Sequence, residues 1–406
     1  MMLVYFDTGL MNNLGHHANS ARHISAEVRG RDMGCAVFGH AEMESALRDE
    51  LAAVPWFRFH TYGLYDTDPV CGWLTNFQIV AQGLADDLNR IEGIGPEHML
   101  YFNSVQPPQL MGVVRWAQSR PEDQRPTVVV EFGTDPGLLA SETPDGLRFA
   151  AMDPRIDSRA VLYRYTARTL SETDRKWLRL ATFDAQSSSV YQMLLDFPVG
   201  TLPLPQQAIC QRLDRRGAAR PLTVSFLGHQ RPDKGFDKVP AIVARLLAER
   251  DDVRVLVHNG EPQGMTAPQA ELRAMAAADS RLVLDERAAD SALWASLLEQ
   301  SDLIVCPYNR NRFIASYSAV VSEAMANAIP VVVPEGTTMH SVIREFEEPG
   351  TIFREEGADG VFAAIVAALD DYDRLAGLAR QASIRWGETR GAKCLVDTLL
   401  SWQTAP

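Results

Sequence analysis

The sequence predicts an α/β protein of two doubly wound, Rossmann-like domains facing across a cleft, and three observations lead there. Short apolar, β-rich runs alternate with longer segments of helical period, as parallel strands joined by crossover helices require. The alternation halts at Leu202-Pro203-Leu204-Pro205 and then starts again. The chain of 406 residues is also too long for one ordinary hydrophobic core.

In the first half, strands are expected at Leu3–Phe6, Ala36–Phe38, Phe57–His60, Met99–Phe102, Thr127–Phe132, Leu180–Phe183 and Val199–Leu202. Helical patterns lie between them at Ala18–Arg29, Asn76–Ile91, Gln109–Gln118 and Ser187–Leu195. Residues 1–205 therefore make one complete doubly wound sheet. Residues 206–220, rich in Arg and Gln and ending at Pro221, read as an interdomain linker. The second alternation, over residues 221–382, has strands at Thr223–Leu227, Val253–His258, Leu282–Leu284, Leu303–Cys306 and Val331–Val333. Its helices are Val239–Arg250, Pro268–Ala277, Ser291–Gln300, Ala319–Ala328 and Val361–Leu369. Residues 383–406 form a last helix, expected to pack back on the first domain. In such sheets ligands sit beyond the carboxyl ends of the strands, so function is sought in the strand-to-helix loops.

The formal net charge of −13 argues against nucleic acid as the main partner, because phosphate binding needs clustered Lys and Arg. One basic stretch, Arg155 to Arg179, reads as a helix or helix pair. It is either a solvated face or a surface for an anionic acceptor or lipid head groups, which leaves peripheral membrane contact open. The five cysteines are scattered, with no C-x-x-C pair, so neither a disulfide framework nor a structural zinc is indicated and a reducing, cytoplasmic setting fits. Met1 to Asp7 reads as a first strand rather than a signal peptide, and no apolar run has the length of a membrane span.

Two motifs carry chemistry. In Phe226-Leu227-Gly228-His229-Gln230-Arg231-Pro232-Asp233-Lys234-Gly235 a strand ends in Gly and runs through a basic loop to a second Gly. Two cations between a strand end and a helix can neutralise a diphosphate; the alternative is a surface loop with solvated Arg and Lys. In Tyr317 to Pro334 a small-residue turn, Ser318-Ala319, opens a helix whose amides are free for phosphate, with Glu323 just inside it. The alternative there is a surface Glu favoured by the helix dipole.

With these motifs the sequence resembles the family 4 retaining glycosyltransferases of the GT-B fold, over nearly the whole chain. The spacing of Gly228 to Lys234-Gly235 is the family's. Its usual Arg after the Gly is His229 here, and Arg231 follows two residues later. Glu323-Ala324-Met325-Ala326-Asn327-Ala328-Ile329-Pro330-Val331-Val332 matches the end of the family's E-x7-E motif, with Ala328 for its Gly. The first Glu of that motif falls on Ala315. The resemblance implies that Lys234 and Arg231 hold the donor diphosphate. It also implies that Glu323 binds the donor ribose and that Ser316, Tyr317, Ser318 and Ala319 offer amides and hydroxyls to the phosphates. The base would lie beside the strand containing Leu284, and His258 is either a packed histidine or a contact.

In the first domain, Asp7 to His17 resembles the family's glycine loop, with Gly15 approaching the diphosphate. Acceptor-side candidates are His16, His17, Glu131 and Asn103. Aromatic and polar loop residues Tyr62, Tyr65, Trp73 and Gln106 suit a sugar, a lipid-linked glycan or another hydroxyl compound. His16, His17 and His23 lack an acidic ligand at a recognised spacing, so no metal is expected. Many relatives carry a His close to Gly133 that helps position the reacting sugar or acceptor; this chain has none there, and Asp135 or Glu131 is the candidate replacement, although Asp before Pro is also an ordinary turn. The implied reaction is transfer of a sugar from a UDP- or GDP-sugar to a hydroxyl acceptor, with retention and without a cofactor, in glycan or glycoconjugate synthesis. The rivals are a non-catalytic nucleotide-binding partner subunit, argued by Ala315, and another GT-B enzyme such as a nucleotide-sugar epimerase.

Overall fold

The structure, a computed structural model, describes residues 2–13, 15–143, 146–210, 221–229, 231–260 and 264–404. Two compact units divide the chain. The first comprises Met1–Pro205, Ala315–Tyr317 and Ala392–Pro406; the second comprises Gln206–Ile314 and Ser318–Gly391.

The first unit runs β1 (Met2–Phe6), α1 (Gly15–Gly30), β2 (Gly34–His40), α2 (Ser45–Leu51), β3 (Val54–Phe57), α3 (Gly72–Asn89), β4 (Met99–Phe102) and α4 (Pro107–Gln118). It continues with β5 (Thr127–Glu131), β6 (Leu138–Thr143), β7 (Gly146–Ala151), α5 (Arg159–Ala167), β8 (Leu178–Thr182), α6 (Ala185–Leu195) and β9 (Val199–Thr201). Seven strands form a parallel sheet in the order β3-β2-β1-β4-β5-β8-β9. Leu3, Val4, Tyr5 and Phe6 are all buried, as a central parallel strand covered on both faces demands. α4 starts on Pro107 and Pro108, which need no amide partner in a first turn, and Asp184 caps α6 by accepting from Ser187 N at 2.7 Å.

The second unit holds β10 (Leu222–Phe226), α7 (Val239–Glu249), β11 (Val253–His258), α8 (Thr266–Ala278), β12 (Leu282–Asp285), α9 (Ser291–Gln300) and β13 (Leu303–Val305). Then follow α10 (Ala319–Ala326), β14 (Val331–Pro334), α11 (Thr338–Glu345), β15 (Gly350–Phe353), α12 (Ala358–Asp370) and α13 (Tyr372–Thr389). Its six-stranded parallel sheet has the order β12-β11-β10-β13-β14-β15. In both sheets the order reverses beside the first strand, at β1/β4 and β10/β13, the position where doubly wound sheets open a crevice.

Several expectations are corrected. The third strand is Val54–Phe57 rather than Phe57–His60, because the His60 amide donates to the Tyr65 hydroxyl at 2.7 Å and leaves the ladder. The antiparallel pair β6/β7 and the edge strand β15 were not expected; β15 reads Gly-Thr-Ile-Phe, too short and mixed to signal a strand. Residues 383–406 are not one helix. α13 ends at Thr389, Arg390 is extended, and Gly391 at φ +87° starts α14 (Gly391–Thr404). The Trp386 indole N–H donates to Gln206 O at 2.9 Å within the second unit, while the Trp402 ring lies against Gly200 within the first. Of the expected linker, 206–210 falls in the second unit and 211–220 lies outside the described residues. The basic stretch folds as α5 and a short 3-10 turn, and Arg155, Arg159, Arg164 and Arg175 each pair with an acid.

Candidate functional site

In the second unit β10 ends at Phe226, and Gly228 takes φ +98°, a conformation that L side chains resist. A methyl group on Gly228 would lie 3.1 Å from Val320 Cγ2, in the first turn of α10, and 3.7 Å from Lys234 Nζ. The strand end, the lysine ammonium and the N-terminus of α10 thus converge. Lys234 is carried there by a short 3-10 turn, Pro232–Lys234, closed by Gly235 at φ +68°. Glycine is required at 235, since a methyl group would sit 2.0 Å from Pro307 O.

The Lys234 ammonium stands 5.3 Å from the centre of the Tyr308 ring, a cation–π distance. Burial, and then the Arg231 charge, pushes its pKa down to about 8, while Cys306 and Asp233 oppose the shift. Arg231 donates to Asp233 at 2.9 Å and is part-exposed, so it is the more adjustable of the two cations. His229 is half-buried in the same loop. Two positive groups held together, with no carboxylate paired to Lys234 among the described residues, leave charge for an anion to neutralise.

Ser318 caps α10, its Oγ accepting from Val321 N at 3.4 Å, and Ala319 is the first helical residue. Glu323 is 8% exposed and accepts from the Trp294 indole N–H. Burial pushes its carboxyl up to about 7 against that bond. Asn327 closes the helix, and Ala328, where the family carries Gly, is left at φ +58°. Ser316 and Tyr317 group with the first unit, as does buried Ala315. Tyr317 packs edge-on against Phe183 at 5.0 Å.

His258, at the end of β11, is buried with Nε2 2.9 Å from Arg287 O and its ring 6.3 Å from Trp294. Those contacts are those of a packed histidine. Leu284 on β12 packs against the core of its unit. The neighbouring Asn259 donates to Gln269 at 2.6 Å, which fixes the turn after β11.

In the first unit His17, at the start of α1, places Nδ1 2.9 Å from both oxygens of Asp7. Asp7 follows β1 and also accepts from Gly9 N at 2.8 Å and Asn103 Nδ2 at 2.9 Å. Burial opposes its charge, yet His17 and these donors hold its carboxyl below the usual range. Glu131, at the end of β5, is fully buried and accepts from Ser104 N at 2.8 Å. His16 lies against His17, ring centres 4.1 Å apart. Gly15 opens α1 at φ +72°, and a methyl there would meet no described atom within 4 Å. Tyr62 and Tyr65 are exposed, and Gln106 donates to Thr134 at 3.0 Å.

Asp135 follows β5, but its carboxylate accepts from Gly137 N at 2.9 Å and pairs with Arg159 at 3.1 Å. The Gly137 bond is that of a turn and the Arg159 pair ties Asp135 to α5, so its printed contacts lie apart from the group formed by Asp7, His17, Asn103 and Glu131. Sequence reasoning missed Asp7, Trp294 and Tyr308. Asp7 at a strand end ten residues before His17 was the one legible signal; nothing local marks Trp294 or Tyr308. Among the described residues no cluster of three His, Cys, Asp or Glu side chains is placed to hold a metal ion, and no helix is long and apolar enough to cross a membrane.

Residues 221–371 match the profile of the glycosyl transferases group 1. A phosphatidyl-myo-inositol mannosyltransferase of Mycolicibacterium smegmatis is 28% identical over 164 residues, a stretch that spans 40% of this chain and 40% of that protein. Among solved structures, sucrose-phosphate synthase from Thermosynechococcus elongatus superposes with a TM-score of 0.65 at 11% identity, covering 99% of this chain and 98% of its own. HepE of Anabaena in complex with UDP superposes with a TM-score of 0.62 at 14% identity, over 99% of this chain and 100% of its own. The fold is thus that of the GT-B glycosyltransferases, two Rossmann-like units, and its second unit carries the group 1 glycosyl transferase profile over residues 221–371.

Proposed function

We propose that the chain transfers a sugar from a nucleotide-diphosphate donor, a UDP- or GDP-sugar, to a hydroxyl acceptor, with retention at the anomeric carbon. The observation that carries this reading is the meeting of Gly228, Lys234 Nζ and the first turn of α10 at the end of β10. A leaving nucleoside diphosphate gains negative charge as its bond to the sugar breaks. A preformed pair of cations with free helix amides stabilises that charge without reorganising and without a metal ion. Glu323, held by Trp294, then receives the ribose hydroxyls. The UDP bound to HepE supports a uridine donor. Retention rests on the family resemblance: the acceptor hydroxyl enters from the face the diphosphate leaves, and no enzymic nucleophile is needed.

Release of UDP or GDP from a panel of nucleotide sugars tests the proposal. Turnover should fall at least about 100-fold in Lys234→Ala, the size of effect seen when one preorganised charge-stabilising group is lost. Undiminished turnover in that variant would defeat the mechanism. A second reading, a nucleotide-binding subunit without activity, is favoured by Ala315 in place of the first carboxylate of the motif. Clear nucleotide binding with no turnover on any donor would select it.

A further inference from the structure

In the first unit five residues form one continuous hydrogen-bonded chain, closed through the Ser104 backbone amide, across the ends of three adjacent strands. His17 Nδ1 meets Asp7 at 2.9 Å, and Asp7 accepts from Asn103 Nδ2 at 2.9 Å. Asn103 Nδ2 also lies 3.3 Å from Ser104 Oγ, and the Ser104 amide donates to Glu131 Oε2 at 2.8 Å. Every member is buried, His17 the least so at 8% exposed. Both ends are open: His17 Nε2 and Glu131 Oε1 are buried atoms without a hydrogen-bond partner among the described residues. Buried polar atoms are nearly always satisfied, so two at the termini of one chain point to a missing ligand.

We propose that this chain binds an uncharged, hydroxyl-rich acceptor, a sugar or polyol, with one hydroxyl on His17 Nε2 and another on Glu131 Oε1. The inference rests on the reading of the chain as a glycosyltransferase and narrows its acceptor. Charge disfavours the phosphorylated alternative. The Asp7–His17 pair is neutral or negative whichever proton state the imidazole takes. Glu131, whose pKa burial and the nearby Asp7 push up to about 8 against the Ser104 bond, is a neutral acid at pH 7. Since Ser104 N donates to Oε2, the acid proton sits on Oε1 and is offered to the ligand. Arg159 is already taken by Asp135 and Asp157, so a phosphate here would meet no counter-charge from it. Gly133 leaves room for this: a methyl group there would come 3.3 Å from Glu131 Oε1 and 3.1 Å from Ser104 Oγ. At the other end Asp7 orients the imidazole so that Nε2 faces the hydroxyl, the arrangement by which a carboxylate fixes a histidine that receives a proton.

The test is saturation-transfer NMR on the full chain with UDP present, using methyl hexopyranosides and myo-inositol against hexose 6-phosphates. The neutral compounds should bind and the phosphates should not. His17→Phe and Glu131→Leu should each weaken binding roughly tenfold, the loss expected for one buried hydrogen bond. His17→Gln and Glu131→Gln, which keep polar atoms at the two ends and guard against misfolding, should fall between these variants and the parent. Preference for the phosphates, absence of binding by every neutral compound, or affinities indifferent to all four substitutions would overturn the proposal. UDP binding is followed separately: its loss in the parent chain would sink the donor reading, whereas neutral-acceptor binding alone decides this one.

Discussion

Lys234 offers the sharpest test of the proposed donor site, because its ammonium is buried beside a second cation. Its pKa falls from 10.5 to about 8, and at 1.36 kcal/mol per unit the charged form is disfavoured by about 3 kcal/mol. That penalty is complete below pH 8 and is relieved as pH rises from 8 to 10.5. Over that range the unfolded chain holds more protons than the folded one, so this group makes the protein more stable with rising pH. A bound diphosphate reverses the environment and returns the pKa upward. At pH 8 about half of the free protein lacks the proton, so binding UDP should take up roughly 0.5 proton, rising toward one at pH 9 and vanishing below pH 7. The phosphate itself contributes little there, since such groups complete their second ionisation near pH 6. Affinity should be flat below pH 8 and fall toward tenfold per unit above it. Calorimetry in buffers of different ionisation enthalpy measures the uptake directly, and Lys234→Met isolates the lysine from Glu131 and Glu323, which also titrate near neutrality. No uptake at pH 8–9 in the parent chain, or the same uptake in Lys234→Met, would refute the reasoning.

Three further outcomes are expected. Trp294→Phe removes the donor that satisfies the buried Glu323 carboxyl, and urea unfolding should show a loss of about 1–3 kcal/mol. Ala328→Gly should raise stability by about 0.5–1 kcal/mol, because an alanine at φ +58° costs more than the extra backbone freedom of glycine in the unfolded chain; thermal unfolding gives the sign. Glu131 keeps its proton to about pH 8 when folded and loses it near 4.5 when unfolded. It should therefore lower stability as pH rises between those values, by up to about 1.4 kcal/mol per unit, and Glu131→Gln should flatten that slope in denaturation curves across pH 5–8.

Two sheets, their approximate strands and the Gly228–Lys234–Gly235 loop were legible because each is written in local periodicity or in spacing along one loop. Val253–His258 and Ser291–Gln300 match the expected bounds, and Met99–Phe102 does too. Apolar runs bounded by turns carry that information within a few residues. β15 was not legible, since four residues with little alternation depend on a neighbour, β14, to become a strand. Nor was the hairpin β6/β7, which belongs to neither parallel sheet. The break at Arg390–Gly391 hides inside an apolar spacing that continues on both sides of it.

Charge and spacing along the chain determined that a strand end, two cations and a helix start would occur in one segment, and that Glu323 would follow. Only the tertiary structure decided their partners. Trp294 reaches Glu323 across 29 residues, and Asn103 reaches Asp7 across 96. The strand order β1-β4-β5 alone brings Asp7, Asn103 and Glu131 to neighbouring ends. Periodicity specifies which face of an element is buried, whereas strand order specifies which residues share that burial. Desolvation then acts on whatever meets there, lowering the pKa of Lys234 and raising those of Glu131 and Glu323.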